Sequence, residues 1–241
     1  MKSQNSSHIN QKMNRILITA LVSICISFGA NAQQLNKTEL KLLDVPEKNE
    51  LTNAKDSISY EQALAQWKSV ADINRWIGLN FHYDISRAIA LGSKREQGPK
   101  PSIHSPAEMY SIKSGICVDI SRFAFETLKK IDPEAEAYYL MIDFEPIEIQ
   151  GSTIRKHWVL AYKQENNFYV TADSKLPGQI SGPYENIEDF IESYEAFRER
   201  KIVSFKLLDD YKKKMKKRLA KVKKDNKGDK QQINGKKRPA E

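Results

Sequence analysis

The sequence predicts an α+β fold with its helices ahead of an antiparallel sheet. Three observations predict it. Up to Pro133, apolar residues recur at helical spacing behind capping motifs. After Pro133, the apolar runs are aromatic and β-branched, and two of them are joined by a polar loop of hairpin length. Asn186 then opens one more helix before a closing strand. Helices followed by a run of strands is the α+β order, unlike the strand–helix alternation of a parallel sheet.

Gln33 to Ser57 is polar with scattered Leu and no sustained period, so it reads as a lead-in without regular structure. Ser59-Tyr60-Glu61-Gln62 is a capping box, and Leu64, Trp67, Ala71 and Ile77 follow at near-helical spacing. That pattern predicts one helix running to Asn80, ahead of Phe81-His82-Tyr83-Asp84. Gly92, Gly98, Pro99 and Pro101 mark a loop from Gly92 to Pro101. In Ser105-Pro106-Ala107-Glu108 the serine caps a second helix, the proline takes its first position and the glutamate completes the box. Ser114-Gly115 breaks the chain. A third helix follows with Ile120, Ala124, Thr127, Leu128 and Ile131 on one face, ending before Pro133.

The strands expected next are 137–142, 157–162 and 168–171, with Lys163 to Asn167 as the loop between the last two. Asn186-Ile187-Glu188-Asp189 starts a helix carrying Phe190, Ile191, Tyr194 and Phe197, and Ile202-Val203-Ser204-Phe205 closes the sheet. No internal repeat is visible.

The 241 residues suit one domain of ordinary size. With 40% hydrophobic and 29% charged residues, a packed core is within reach and full-length disorder is excluded. A mean hydropathy of -0.61 argues against a multi-span membrane protein. The net charge of +8 is unevenly placed. Lys206 to Glu241 carries 15 Lys/Arg against 5 Asp/Glu, whereas Gln33 to Phe205 carries 21 against 26. The body is mildly acidic and the basicity is a tail.

Lys12 and Arg15 precede the apolar run Ile16 to Phe28, and Ala30-Asn31-Ala32 has the small-residue pattern of a cleavage site. Together they form a secretory signal peptide, too short in its apolar part for a span of roughly 20 residues. The expected organisation is a signal peptide at 1–32, a polar lead-in at 33–57, one folded domain at 58–206 and a Lys-rich tail at 207–241. Export to a periplasmic or extracellular space follows, after cleavage near Ala32. Cleavage removes Cys25 and leaves Cys117 the only cysteine of the exported chain, so no internal disulfide can form.

Cys117 lies two residues past Gly115, in the first turn of the third helix. Free N–H groups and the helix dipole there favour a thiolate, and the same N–H groups can hold an oxyanion. A nucleophile also needs a base held by a third group. His157 near the start of one strand and Asp173 at the end of its hairpin neighbour supply both. Pairing through the Lys163–Asn167 loop would set the imidazole beside the carboxylate.

Gly115-x-Cys117-x-Asp119, His157-Trp158 and the stretch from Phe168 to Asp173, in that order, resemble the transglutaminase-like branch of the papain-like cysteine enzymes. Trp76 through Asp84 is similar to the helix and tyrosine that precede the nucleophile there. Ser105 to Met109 adds a weaker similarity to the bacterial transglutaminase-like cysteine proteinases. The departures are a short segment before His157, holding Gly151-Ser152-Thr153, and His-Trp in place of His-x-Trp.

The resemblance implies a papain-like/transglutaminase-like core, with the cysteine at a helix start packed on an antiparallel sheet. It also implies a thioester acyl-enzyme mechanism on amide bonds of proteins or peptides, with Cys117, His157 and Asp173 as the triad. Water as acyl acceptor makes a peptidase or amidase, and an amine makes a cross-link. The residues do not choose between them, and hydrolysis is the expectation carried forward.

Tyr83, Asn80 and Tyr110 are candidates for a second oxyanion donor, while His82 stands with them unranked. Asp119 reads as structural, since a carboxylate near a helix start is favoured by the dipole but opposes a thiolate. His82, His104, Cys117 and His157 fail the short spacings of a zinc site, so neither metal nor cofactor is expected. Trp67, Trp76 and Trp158 read as core anchors.

In the tail, Tyr211, Met215, Leu219 and Val222 recur every three or four residues among lysines. This describes a basic amphipathic helix, which would place residues 207–224 on an anionic membrane surface or over the domain. Nucleic acid fits the charge but not export. The competing expectation is a non-catalytic envelope-associated binding protein with a membrane-docking tail.

Overall fold

The computed structural model describes residues 35–43, 45–46, 58–93 and 101–210. The expected signal peptide and the expected basic amphipathic helix lie outside the described residues. The described residues from Thr38 onward group as one compact unit. No helix among the described residues is long and apolar enough to cross a membrane.

Side-chain caps decide where the helices begin. The expected unstructured lead-in contains a short helix, α1 (Lys37–Leu42), because its scattered leucines find a surface: Leu43 is fully buried. The carbonyl of Lys41 accepts from Lys175 Nζ at 3.0 Å, which ties this segment to the sheet end of the domain. The box at Ser59 forms as expected, with Gln62 N–H donating to Ser59 Oγ and Gln62 Oε1 accepting from Ser59 N–H.

The single helix expected from there to Asn80 is instead two, α2 (Tyr60–Gln66) and α3 (Val70–Asn80). The reason is a second cap. Asp72 accepts from the N–H groups of Lys68 and Ser69, and this local bonding competes with helix continuation while Trp67 turns extended.

β1 (His82–Tyr83) follows, then a helix that the hydrophobic pattern did not reveal, α4 (Ile85–Gly92), capped by Asp84 accepting from Arg87 N–H at 2.9 Å. The expected loop from Gly92 therefore starts after a helix end, and 94–100 of it lies outside the described residues. The box at Ser105 opens α5 (Pro106–Ile112), and Lys113 in the left-handed region ends it. β2 (Ser114–Gly115) runs parallel to β1, pairing His82 with Ser114 and Tyr83 with Gly115. α6 (Cys117–Ile131) buries Ile120, Phe123, Ala124, Thr127 and Leu128 and stops at Asp132, before Pro133.

The strands are longer than the sequence pattern suggested: β3 (Ala137–Ile149), β4 (Ser152–Gln164), β5 (Asn167–Thr171) and β7 (Ile202–Leu208). β6 (Ser181–Tyr184) was hidden by its Gly182-Pro183. The sheet order is β6-β5-β4-β3-β7, antiparallel throughout. Tight turns at Gln150-Gly151 and Glu165-Asn166, both with positive φ, join the two hairpins. The short Gly151 segment noted before His157 is the first of these turns.

The sheet is sandwiched. One face sets Ala137, Leu160 and Tyr162 against Trp76, Ile120 and Phe123 of the helical layer. The other sets Leu140, Ile142, Val159 and Ala161 under Ile187, Phe190 and Tyr194 of α7 (Ile187–Arg198). Trp76 is a core anchor as expected, stacked on Tyr110 with ring centroids 4.9 Å apart and 4.7 Å from Phe123. Phe197, in the last turn of α7, is exposed.

Candidate active site

The cysteine is set by its neighbours. Cys117 begins α6, and its thiol is free of any disulfide and buried. Asp119, fully buried, turns back to accept from Ile116 N–H at 3.0 Å, so it closes the turn that holds Cys117. The same carboxylate accepts from His104 N–H at 2.7 Å and from the Arg87 guanidinium at 2.9 and 3.3 Å. Arg87 also donates to the Ser102 carbonyl. α4, the 102–104 segment and the α6 start are thereby joined at one buried ion pair. The structural role expected of Asp119 holds, and Arg87 is the partner that sequence spacing missed.

Gly115 makes this packing possible. A Cβ there would sit 2.9 Å from Asp119 Cβ and 3.2 Å from Met109 Sδ. Residues without that side chain are the ones that fit beneath the aspartate.

His157 and Asp173 come together directly. His157 pairs with Ile142 in the β3–β4 ladder and is 1% exposed. The β4–β5 ladder ends at Leu160 opposite Thr171. Ala172 then takes a left-handed φ of 58°, re-aiming the chain so that Asp173 Oδ1 lies 3.0 Å from His157 Nε2. The loop after it is held by close packing. Thr171 Oγ1 donates to Asn74 Oδ1, Asn74 Nδ2 donates to the Gly178 carbonyl at 2.7 Å, and a Cβ at Gly178 would lie 2.6 Å from Gly78 Cα.

The carboxylate collects donors. Asp173 Oδ1 also accepts from Lys175 N–H at 2.9 Å, and Oδ2 accepts from the Tyr194 hydroxyl at 2.8 Å. Burial by itself would raise its pKa. The His157 imidazole, the Arg198 guanidinium and the Lys175 N–H outweigh burial and hold it below the ordinary carboxylate range. An ionised carboxylate can only accept, so the His157 nitrogen facing it, Nε2, carries a proton.

Trp158 and His157 take opposite faces of β4. Alternation along β4 turns Trp158 to the helical layer, where it packs on the cluster of Ala88, Ile116 and Val118, the last two flanking Cys117. His157 turns toward α7 and stacks on Tyr194, centroids 5.8 Å apart. The residue next to the histidine thus packs against the residues on either side of the cysteine.

The three oxyanion candidates are placed differently. Asn80 spends its amide on the Trp76 carbonyl, to which it donates at 3.0 Å, and on Lys113 Nζ, from which it accepts. Tyr110 lies in the aromatic core, its hydroxyl 3.4 Å from the Ile58 carbonyl. Tyr83 runs alongside Gly115 and packs on the Ile116–Val118 cluster. His82 donates its N–H to the Lys113 carbonyl at 2.8 Å. No group of three or more metal-ligating His, Cys, Asp or Glu side chains occurs among the described residues.

A family model described as a transglutaminase-like domain matches residues 51–203. The chain belongs to the transglutaminase-like family.

Solved structures similar to this transglutaminase-like chain include Legionella pneumophila LapG in three forms. The calcium-bound form has 15% identity over 60% of this chain and 70% of its own, with a TM-score of 0.34. LapG without a stated ion has 17% identity over 68% and 83%, with a TM-score of 0.35. The EGTA-treated form has 15% identity over 64% and 88%, with a TM-score of 0.26. No curated protein matches the chain.

Proposed function

We propose that this transglutaminase-like domain is an exported thiol hydrolase that cleaves amide bonds of proteins or peptides. Cys117 is its nucleophile, His157 its base and Asp173 the group that orients the base. The observation that carries the proposal is the buried His157–Asp173 pair, with an ionised carboxylate on Nε2. Nothing in a sheet-and-helix scaffold requires a buried histidine and carboxylate to meet; acyl-transfer chemistry does.

In the proposed reaction the proton of the Cys117 thiol passes to His157 Nδ1. The thiolate adds to the amide carbonyl, and N–H groups of the first turn of α6, with Tyr83 beside Gly115, face the oxyanion. The tetrahedral intermediate collapses as the C–N bond breaks and His157 returns its proton to the departing amine, leaving a thioester on Cys117. Water, deprotonated by His157, adds to the thioester; the carboxylic acid leaves and the thiol is restored. Asp173 stays ionised throughout and stabilises the imidazolium that forms twice per turnover.

The domain proposed as catalytic spans 58–208 rather than 58–206, because Leu207 and Leu208 pair with Leu140 and Tyr139 in the sheet. It stands behind a cleaved leader at 1–32 and the 33–57 lead-in, with the basic segment after it, up to 224, against an anionic membrane surface. The acceptor is tested with a complex peptide mixture in oxygen-18 water containing an added primary amine. Products with oxygen-18 at new C-termini, absent with Cys117→Ala, fit hydrolysis. Incorporation of the amine instead fits cross-linking, and identical product sets for parent and Cys117→Ala overturn the enzyme reading.

A further inference from the structure

Two residues of α7 reach the histidine–aspartate pair from outside any motif in the sequence. The Tyr194 hydroxyl donates to Asp173 Oδ2 at 2.8 Å, and Arg198 Nη1 donates to that same hydroxyl oxygen at 2.8 Å. The Tyr194 ring lies nearly parallel to the His157 ring, at 21° with centroids 5.8 Å apart. Tyr194 and Arg198 stand four residues apart, so one helix face presents both. All four groups are buried, at 8% exposure or less.

From these contacts, and resting on the triad reading above, we infer that Tyr194 is a positioning residue that fixes both partners of the pair at once, with Arg198 setting the polarity of its hydroxyl.

The polarity is dictated by chemistry. A guanidinium can only donate, so the Tyr194 oxygen accepts from Arg198 and its single proton is left for Asp173. The ionised carboxylate can only accept, and takes this proton on Oδ2 and those of His157 Nε2 and Lys175 N–H on Oδ1. Every donor therefore points inward along Arg198, Tyr194 and Asp173 to the imidazole, and one tautomer satisfies the chain. A carboxylate held at Oδ1 alone would rotate about its Cβ–Cγ bond; the bond at Oδ2 stops it. The stacked phenol ring restrains the imidazole plane in the same way. Arg198 is itself braced over the Phe144 ring, 5.2 Å from its centroid.

Simple core packing is the rival explanation, since Tyr194 also belongs to the apolar cluster beneath α7. Packing needs the ring and not the hydroxyl. Tyr194→Phe keeps the ring and the stack and removes only the donor to Asp173, so it separates the two.

The test is nitrogen-15 and proton NMR of the His157 ring in the full chain carrying Cys117→Ala, which removes the thiol and makes the reading independent of its reactivity. The parent should show an Nε2–H resonance sheltered from solvent and the shifts of a single tautomer. With Tyr194→Phe added, exchange of that proton should quicken about tenfold or more, the worth of one hydrogen bond to a charged acceptor. The two ring nitrogens should also converge in shift as tautomers mix. Arg198→Gln should move both readouts the same way by less, and it decides the matter alone if Tyr194→Phe does not fold.

A parent-like Nε2–H in the folded Tyr194→Phe chain, or a parent with no sheltered Nε2–H, overturns the inference. A Cys117 that fails to react as a nucleophile overturns the proposed function and leaves this result standing.

Discussion

Removing the Asp119 carboxylate should be among the most damaging single changes in the domain outside its large aromatics. The side chain is fully buried and accepts from Arg87, His104 N–H and Ile116 N–H. In Asp119→Ala the Arg87 guanidinium, whose side chain is 11% exposed, loses its counter-charge. Breaking a buried pair from one side costs about 3–5 kcal/mol, because the survivor stays desolvated. The two backbone donors add to this, at about 1–3 kcal/mol for each that water cannot reach.

Arg87 keeps its bond to the Ser102 carbonyl and can shift toward solvent, so the lower end of the combined range is expected, about 5 kcal/mol in all. Asp119→Asn keeps one acceptor oxygen and should lose about half as much. Urea unfolding of the two variants and the parent measures this, with the slope against denaturant unchanged if the folded states match. A loss under about 1 kcal/mol in Asp119→Ala, or equal losses in both variants, would refute the view that this ion pair holds the α6 start.

Other predictions follow from the same structure. Gly115→Ala drives a methyl to 2.9 Å from Asp119 Cβ, and a drop of about 1–3 kcal/mol in urea unfolding is expected; a neutral result would mean the two backbones separate freely. Trp76→Ala empties the space between Tyr110 and Phe123, and a loss of about 3–5 kcal/mol, with Trp76→Phe much milder, should appear in thermal melts.

Asp173 titrates below its unfolded value near 3.9, so its ionisation stabilises the fold above that pH, and this is lost as pH falls through the depressed folded pKa. Stability profiles of parent and Asp173→Asn should therefore differ most above about pH 4 and converge in stronger acid. Parallel profiles throughout would show that the carboxylate gains nothing from its buried donors.

Local chemistry was legible in the sequence wherever it acts over a few residues. The Ser59 and Ser105 boxes and the α6 start at Cys117 stand as read, while the polar loop read at Lys163 to Asn167 narrows to the turn Glu165-Asn166. The break at Trp67 was missed because Ala71 and Ile77 continue the apolar period across it, while Asp72 caps the backbone at Lys68 and Ser69. β6 was missed because Pro183 argues against a strand, and an edge position tolerates it.

The histidine–aspartate contact was foreseen because hairpin pairing carries residue 157 toward residue 173. The Arg87–Asp119 and Tyr194–Asp173 contacts were not, since they join residues 32 and 21 positions apart through helices whose packing no local period encodes. Tyr194 did carry a signal, a hydroxyl on the apolar face of its helix.

The central claim is that Cys117 and His157 act as one acid–base unit. Its most direct measure is the rate of Cys117 alkylation by iodoacetamide across pH, in the parent chain and in His157→Ala. An unperturbed thiol ionises near pH 8.5. The parent should alkylate at a sustained rate well below that pH, and His157→Ala should lose the low-pH limb while still reacting in alkali. Alkylation that follows an ordinary thiol titration in both chains, or is absent from both while they remain folded, would contradict the claim.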